Sequence, residues 1–376
     1  MNTLISHDDN LALLAVVLCC VAFGCWLETK RSVGQFGLIS VYLLAALLSA
    51  LHVIPRSSEL YTVINAYFVP LSLSLLLFKA NIIRIWARSG LVLVAFLIAA
   101  TGTVFGAALG IQLLDLGHAE DEISGIVVAA LVGGNVNFAA VADTFGLANS
   151  ETASIIVASL FVVGVPYLAF LSALPGMGPV WRLFARQQPE SERGGREPEP
   201  ANATAEITAT SLILALAVGS VIVWLSTVAE EIIGYTPLKY LLITLLSVLL
   251  ATLFPKQADK LSGHYELGKI FIYSYFAIFG ASVNFAAAFE HGSDIVMFGS
   301  VVIACHLLLL VIIGRLFKLS GPDLAIGSSA CIVGPATAAA IATAHGWDDL
   351  ITPGILAGIF GYVIATPLGI GFAAFF

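Results

Sequence analysis

The chain has 376 residues, 59% hydrophobic and 11% charged, with 16 Lys+Arg against 24 Asp+Glu. Soluble domains carry about 45–50% apolar and about 25% charged residues. A mean hydropathy of +0.99 and a pI near 5.3 therefore exclude a soluble enzyme, a nucleic-acid binder and a secreted disulfide scaffold. Cys19, Cys20, Cys25, Cys305 and Cys331 lie in apolar stretches without metal-ligand spacing and read as packing residues.

The start, MNTLISHDDN, has no basic n-region, so the run Leu11–Leu27 reads as a first span rather than a cleaved signal. Apolar segments long enough to cross a membrane follow at about 36–54, 60–78, 90–114, 123–147 and 150–174. Residues 182–206 hold four Arg, five Glu, three Pro and a Gly-Gly pair, a composition that prevents regular structure and marks a linker. Six more segments lie at about 207–229, 238–254, 268–289, 295–314, 323–346 and 350–376. The chain thus divides into an N-terminal membrane repeat, 1–181, a linker, 182–206, and a C-terminal membrane repeat, 207–376. Shifted by 200 residues, LVGGNVNFAAVADTFGL (131–147) falls on CIVGPATAAAIATAHGW (331–347), so the fifth segment of each half, 123–147 and 323–346, carries a Gly-rich interruption. Paired interruptions of this kind point to a transporter's binding site.

Positive charge selects a topology. If all twelve segments cross, the basic residues divide 6 to 10. If 123–147 and 323–346 re-enter, ten segments cross and the division is 14 to 2, with only Arg56 and Lys239 on the minority side. The positive-inside rule favours the second arrangement. It places the linker in the cytoplasm and both termini outside, and makes the halves inverted.

The interruptions carry the candidate chemistry. Gly133, Gly134, Asn135 and Asn137 break the first, since glycine frees backbone groups that stand at membrane depth only where protein or water covers them. Freed carbonyls and Asn oxygens suit Na⁺, and freed N–H groups suit a carboxylate. Close packing and interhelical hydrogen bonds are the structural alternative. In the second, Gly334 and Pro335 break the helix and Thr337 offers a hydroxyl where the first has Asn137. Ser282 and Asn284 are polar positions in the ninth segment, and Ser72 and Ser74 are small polar positions in the third. His306, mid-span, and Asp143, two turns beyond Asn135, are candidates for proton or ion coupling. No HExxH, GxSxG, P-loop or GxGxxG motif occurs.

LVGGNVNFAAVAD, GASVNFAA and GPATAAAIATAHGWDDLITPGILAGIFGYVIATPLG resemble the domain of unknown function 819 family, integral membrane proteins of bacteria and plastids, from about residue 35 to the C-terminus. That family belongs to a wider group of cation–proton antiporters, bile-acid symporters and sodium/glutamate symporters. The resemblance implies an inverted-repeat secondary transporter with an elevator-like movement, whose site lies at Gly133, Gly134, Asn135, Asn137, Gly334, Pro335 and Thr337. Sodium/proton antiporters carry an acid within or beside the break, whereas here the nearest, Asp143, lies well past it.

The chain is therefore expected to be an all-α polytopic membrane protein with two inverted repeats of about five spans, each with one broken or re-entrant segment. It is expected to be a multi-pass protein of the inner (cytoplasmic) membrane and not an enzyme. The expected activity is ion-coupled secondary active transport, by symport, of a small polar, anionic organic solute, with Na⁺ or H⁺ as coupling ion and no cofactor. The alternative is a sodium/proton or other inorganic-ion antiporter using Asp143 and His306. The partners are the small-molecule substrate and membrane lipid, not nucleic acid, and the resemblance allows a homodimer.

Overall fold

Without water, every backbone N–H and C=O must be satisfied within the chain, which long apolar segments achieve as helices. The computed structural model describes residues 3–30, 36–117, 119–148, 150–178, 181, 206–283 and 292–376, and among them no strand occurs. Fourteen helices of ten or more residues follow in order. The first half holds α1 (Asn10–Glu28), α2 (Gly37–Ala50), α3 (Glu59–Leu77), α4 (Ile82–Leu113), α5 (Glu120–Gly133), α6 (Asn135–Thr144) and α7 (Glu151–Ala173). The second holds α8 (Ala209–Ile233), α9 (Leu238–Leu253), α10 (His264–Ser282), α11 (Ser293–Leu316), α12 (Gly321–Ile332), α13 (Pro335–Ala344) and α14 (Ile351–Phe375). The linker, Glu206 excepted, and Asn284 lie outside the described residues.

Local sequence sets the boundaries. The side chains of Ser58, Asn81, Ser150 and Ser320 accept from the backbone N–H three residues on and start α3, α4, α7 and α12. In α4, Gly90 (φ 52°, ψ −132°) bends the chain, so a short lead-in precedes the span. Seven helices, α1, α3, α4, α7, α8, α11 and α14, are long and apolar enough to cross a membrane, and α2 and α9 are shorter apolar helices. α10, of 19 residues, carries Glu266 and Lys269 near its start. The protein is an all-α polytopic membrane protein.

The helices sort into two packed bodies, each drawn from both halves of the sequence. One comprises α1, α2, α3, α8, α9 and α10, and the other α4 to α7 with α11 to α14. At the centre of the second, α4 and α11 approach closely. A Cβ added at Gly102 would lie 2.8 Å from the His306 Cα, and one at Gly106 2.8 Å from the Val302 Cα. Small residues four apart allow this contact.

Bonds between helix ends fix which ends are neighbours. His264, starting α10, donates from Nδ1 to the Leu75 carbonyl at the end of α3 (2.8 Å). The Ile82 N–H, starting α4, donates to Thr252 Oγ1 at the end of α9 (3.2 Å). His345, after α13, donates from Nε2 to the Ser172 carbonyl at the end of α7 (2.9 Å).

Candidate functional site

The interruptions are single turns of backbone. α5 stops at Gly133, Gly134 takes φ +71° and ψ −162°, and α6 begins at Asn135. Two hundred residues on, Gly334 takes φ +105° and ψ −170° before Pro335 opens α13. This corner of backbone space is open essentially only to glycine. Downstream, Gly146 (φ +70°) and Gly346 (φ +68°) close α6 and α13 in the same way. Leu147 N–H donates to the Ala142 carbonyl (2.8 Å) and Trp347 N–H to the Ala342 carbonyl (2.9 Å).

The two breaks meet. A Cβ on Gly134 would lie 3.1 Å from the Val333 carbonyl oxygen, and Cys331 Sγ points its S–H at the Leu131 carbonyl 3.4 Å away. α14 covers both. A Cβ on Gly358 would lie 2.5 Å from the Pro335 nitrogen, and one on Gly361 2.7 Å from the Val132 oxygen. Non-helical backbone at this depth is thus sheathed in protein, as a bilayer requires.

Beside the breaks, between the two bodies, lies a cavity of about 340 Å³. The second body contributes Asn135, Val136, Val333, Thr337, Thr343 and Tyr362. The first contributes Glu28 and Lys30, Leu38, Leu76, and Tyr265, Lys269 and Tyr273 from α10. Glu28 accepts from Lys269 Nζ on Oε2 and from the Tyr273 hydroxyl on Oε1. Lys30 Nζ sits 4.8 Å from the centre of the Trp26 ring. Asn135, Thr337 and Tyr362 line the cavity without a side-chain hydrogen bond to any described residue.

The candidate residues separate accordingly. Asn135 and Thr337 face the cavity. Asn137 does not. It is fully buried and donates from Nδ2 to the Tyr362 carbonyl (2.9 Å) and to Thr366 Oγ1 (2.8 Å), tying α6 to α14. Gly133 packs on α14, where a Cβ would lie 2.4 Å from that of Ala365. Ser282 donates to the Arg56 and Ile278 carbonyls at the far end of α10 (both 2.9 Å). Ser72 donates to the Val69 carbonyl, and Ser74 bonds Ser247.

Asp143 lies away from the cavity. Its Oδ2 accepts from Lys239 Nζ and from the Tyr240 hydroxyl, both at 2.8 Å, so this carboxylate joins α6 of one body to α9 of the other. His306 is fully buried in a polar chain, in which one pattern leaves every donor with an acceptor. Thr103 donates to the Ala99 carbonyl (3.1 Å), His306 Nδ1 donates to Thr103 Oγ1 (2.9 Å), and Ser328 donates to His306 Nε2 (2.8 Å). The Tyr167 hydroxyl then donates to Ser328 Oγ (2.7 Å). A neutral imidazole protonated on Nδ1 satisfies every member.

Sequence reasoning passed over Glu28, Lys30, Lys269, Tyr265, Tyr273 and Tyr362. Glu28 and Lys269 stand near the ends of apolar runs, where charge ordinarily marks the membrane boundary. Tyr362 interrupts GIFGYVIA with one hydroxyl, a weak signal that gains meaning only from its place over Gly334, whose added Cβ would lie 3.4 Å from the Tyr362 oxygen.

The model of the family described as "Protein of unknown function (DUF819)" matches residues 15–376. The chain is also similar to the "Uncharacterized membrane protein YjcL" of Bacillus subtilis (strain 168), at 30% identity over 98% of this chain and 97% of that protein. With the match spanning both breaks, all fourteen helices but the start of α1, and the whole cavity wall, the chain belongs to the DUF819 family of membrane proteins.

Proposed function

We propose that this membrane protein is an ion-coupled secondary active transporter of a small polar, anionic organic solute. One observation carries the reading: the cavity lies where two helix breaks meet, between two separately packed bodies, and is walled by Lys269, Lys30 and the polar groups of Asn135, Thr337 and Tyr362, whose side chains bond no described residue. Pockets of a few hundred Å³ with a few convergent polar groups suit small solutes. The lining holds two ammonium groups and one carboxylate, a net positive balance that favours an anion.

Helix-end contacts support a topology of ten crossings and two re-entrant segments. α8 leaves the linker face, so α9 starts on the opposite face, where Lys239 holds Asp143 at the end of α6. α4 starts beside the end of α9 on the linker face and delivers α5 to the opposite face. The pair α5–α6 therefore returns to the face it entered. By the same parity α12–α13 enters from the linker face and returns to it, where His345 meets the end of α7. The seven long spans with α2, α9 and α10 supply the ten crossings. The excess of positive charge on the linker face supports a cytoplasmic linker in an inner-membrane protein, and the cavity, beside Glu28 and Lys269, opens toward that face. Transport follows from movement of the broken-helix body against the other.

The antiporter reading is less favoured. Lys239 and Tyr240 occupy the carboxylate of Asp143, and the hydrogen bonds of His306 close on themselves far from the cavity. The test is the melting temperature of the purified protein with Na⁺, K⁺ or choline, across carboxylates, amino acids and short peptides. A solute that binds the folded state raises it by mass action. Stabilisation by a carboxylate is the expected result, and dependence on Na⁺ or on pH identifies the coupling ion. Stabilisation by Na⁺ or pH alone, with no organic solute active, overturns the reading.

A further inference from the structure

We propose that Glu28 and Lys269 form an exchange pair, in which a proton on Glu28 releases Lys269 to bind the carboxylate of the solute. The inference rests on the functional reading above and names the coupling ion as H⁺.

Three observations carry it. Glu28 is the carboxylate in the cavity wall, and Lys269 lines the same wall. The carboxylate is divided between two donors, Tyr273 on Oε1 and Lys269 on Oε2. Neither side chain is sealed, since about a quarter of Lys269 and a fifth of Glu28 remain accessible (26% and 20%). Solute and proton can therefore reach a pair that elsewhere in a membrane would be locked. Removing a single partner from a poorly solvated ion pair strands the other charge. Exchanging both partners at once avoids this.

The balance is simple. Before binding, Glu28 carboxylate and Lys269 ammonium neutralise each other. A proton from solution then bonds to Glu28 Oε2, where Lys269 stood, while Tyr273 keeps Oε1. Lys269 turns its N–H groups to the solute carboxylate. One proton and one negative charge enter together, so the net charge of the site is the same before and after. The groups facing Glu28 fit this role. On its own helix is Cys25, with Lys30 just past the helix end, and from α10 come Tyr265, Lys269 and Tyr273, with Tyr362 from α14. α2 presents Gly37, whose added Cβ would touch the Glu28 side chain, and no titratable group. Among the described residues no second carboxylate lines the cavity to take the proton instead.

The experiment uses the full-length protein in detergent with acetate, lactate, pyruvate and glycine as probes. Melting temperature reads binding, and an indicator dye in weak buffer reads proton uptake. A monocarboxylate is expected to stabilise the wild type with uptake of one proton per chain, and its apparent Kd to rise as pH is raised. Glu28→Gln is expected to bind the same probe without proton uptake and without pH dependence, and Lys269→Gln to lose the stabilisation. Binding to the wild type without proton uptake overturns the exchange while leaving the transporter reading standing. So does stabilisation by glycine alone, since a zwitterion bridges both charges without a proton. If no probe stabilises the wild type, the functional reading falls and the exchange with it. The wild-type proton count stands even if a variant fails to fold.

Discussion

The two broken segments share a backbone and differ in what their side chains hold. At positions 200 residues apart, Asn137 is bonded to α14 while Thr337 faces the cavity. Asp143 is clamped by Lys239 and Tyr240 while Thr343 faces the cavity. Val128 is apolar while Ser328 joins the His306 chain. Of these positions Asp143 fastens the two bodies together, whereas Thr337 and Thr343 on the opposite face line the cavity. Symmetry of main chain with asymmetry of side chain lets one sequence of turns serve as a closed face and an open one.

The most severe way to break the comparison is at the turns themselves. Ala at either glycine is strained by about 1–3 kcal/mol. Gly134→Ala is expected to cost more than Gly334→Ala, because its Cβ would press on the Val333 carbonyl at 3.1 Å while that at 334 meets the Tyr362 hydroxyl at 3.4 Å. Thermal unfolding in detergent ranks them, and equal losses would refute the contact. Next comes Asn137→Ala, which removes two buried hydrogen bonds and leaves the Thr366 hydroxyl short of a partner, for about 2 kcal/mol. Lys239→Met should lower stability by about 1 kcal/mol. Its pair with Asp143 is about one-fifth exposed on each side (19% and 22%), so its worth lies between a surface and a buried ion pair. A cysteine placed at Phe145, at the end of α6, should then react faster with a charged thiol reagent than in the parent, and unchanged labelling would show that the clamp closes nothing. The smallest expected effect on stability is that of Thr337→Ala, within about 0.5 kcal/mol. That variant should nonetheless weaken solute-dependent stabilisation several-fold, a split that Asn137→Ala does not show.

Much of the architecture was legible because it rests on composition and turns. Glycines in the middle of apolar runs marked both breaks, whereas the start of α4 at Ile82, ahead of the apolar segment, is set by the Asn81 cap and was not read from the sequence. The site was less legible. Asn135 and Asn137 are two residues apart and chemically identical, yet a helix turns them about 200° from each other, so one meets the cavity and the other α14. Which is which depends on the partner helix, about 230 residues away in the chain. Glu28 and Lys269 were hidden for a related reason. Each reads as an interfacial charge on its own helix, and only the packing of α1 on α10 makes them a pair.

The meeting of Gly134 with Val333 is a contact of main chain with main chain. That contact beside the cavity is therefore indifferent to side-chain identity, provided the glycine remains. On the proposed function, substrate identity is accordingly a property of a handful of wall residues, Lys269, Asn135, Thr337 and Tyr362 among them, to be re-specified by exchanging those while the chassis stays the same.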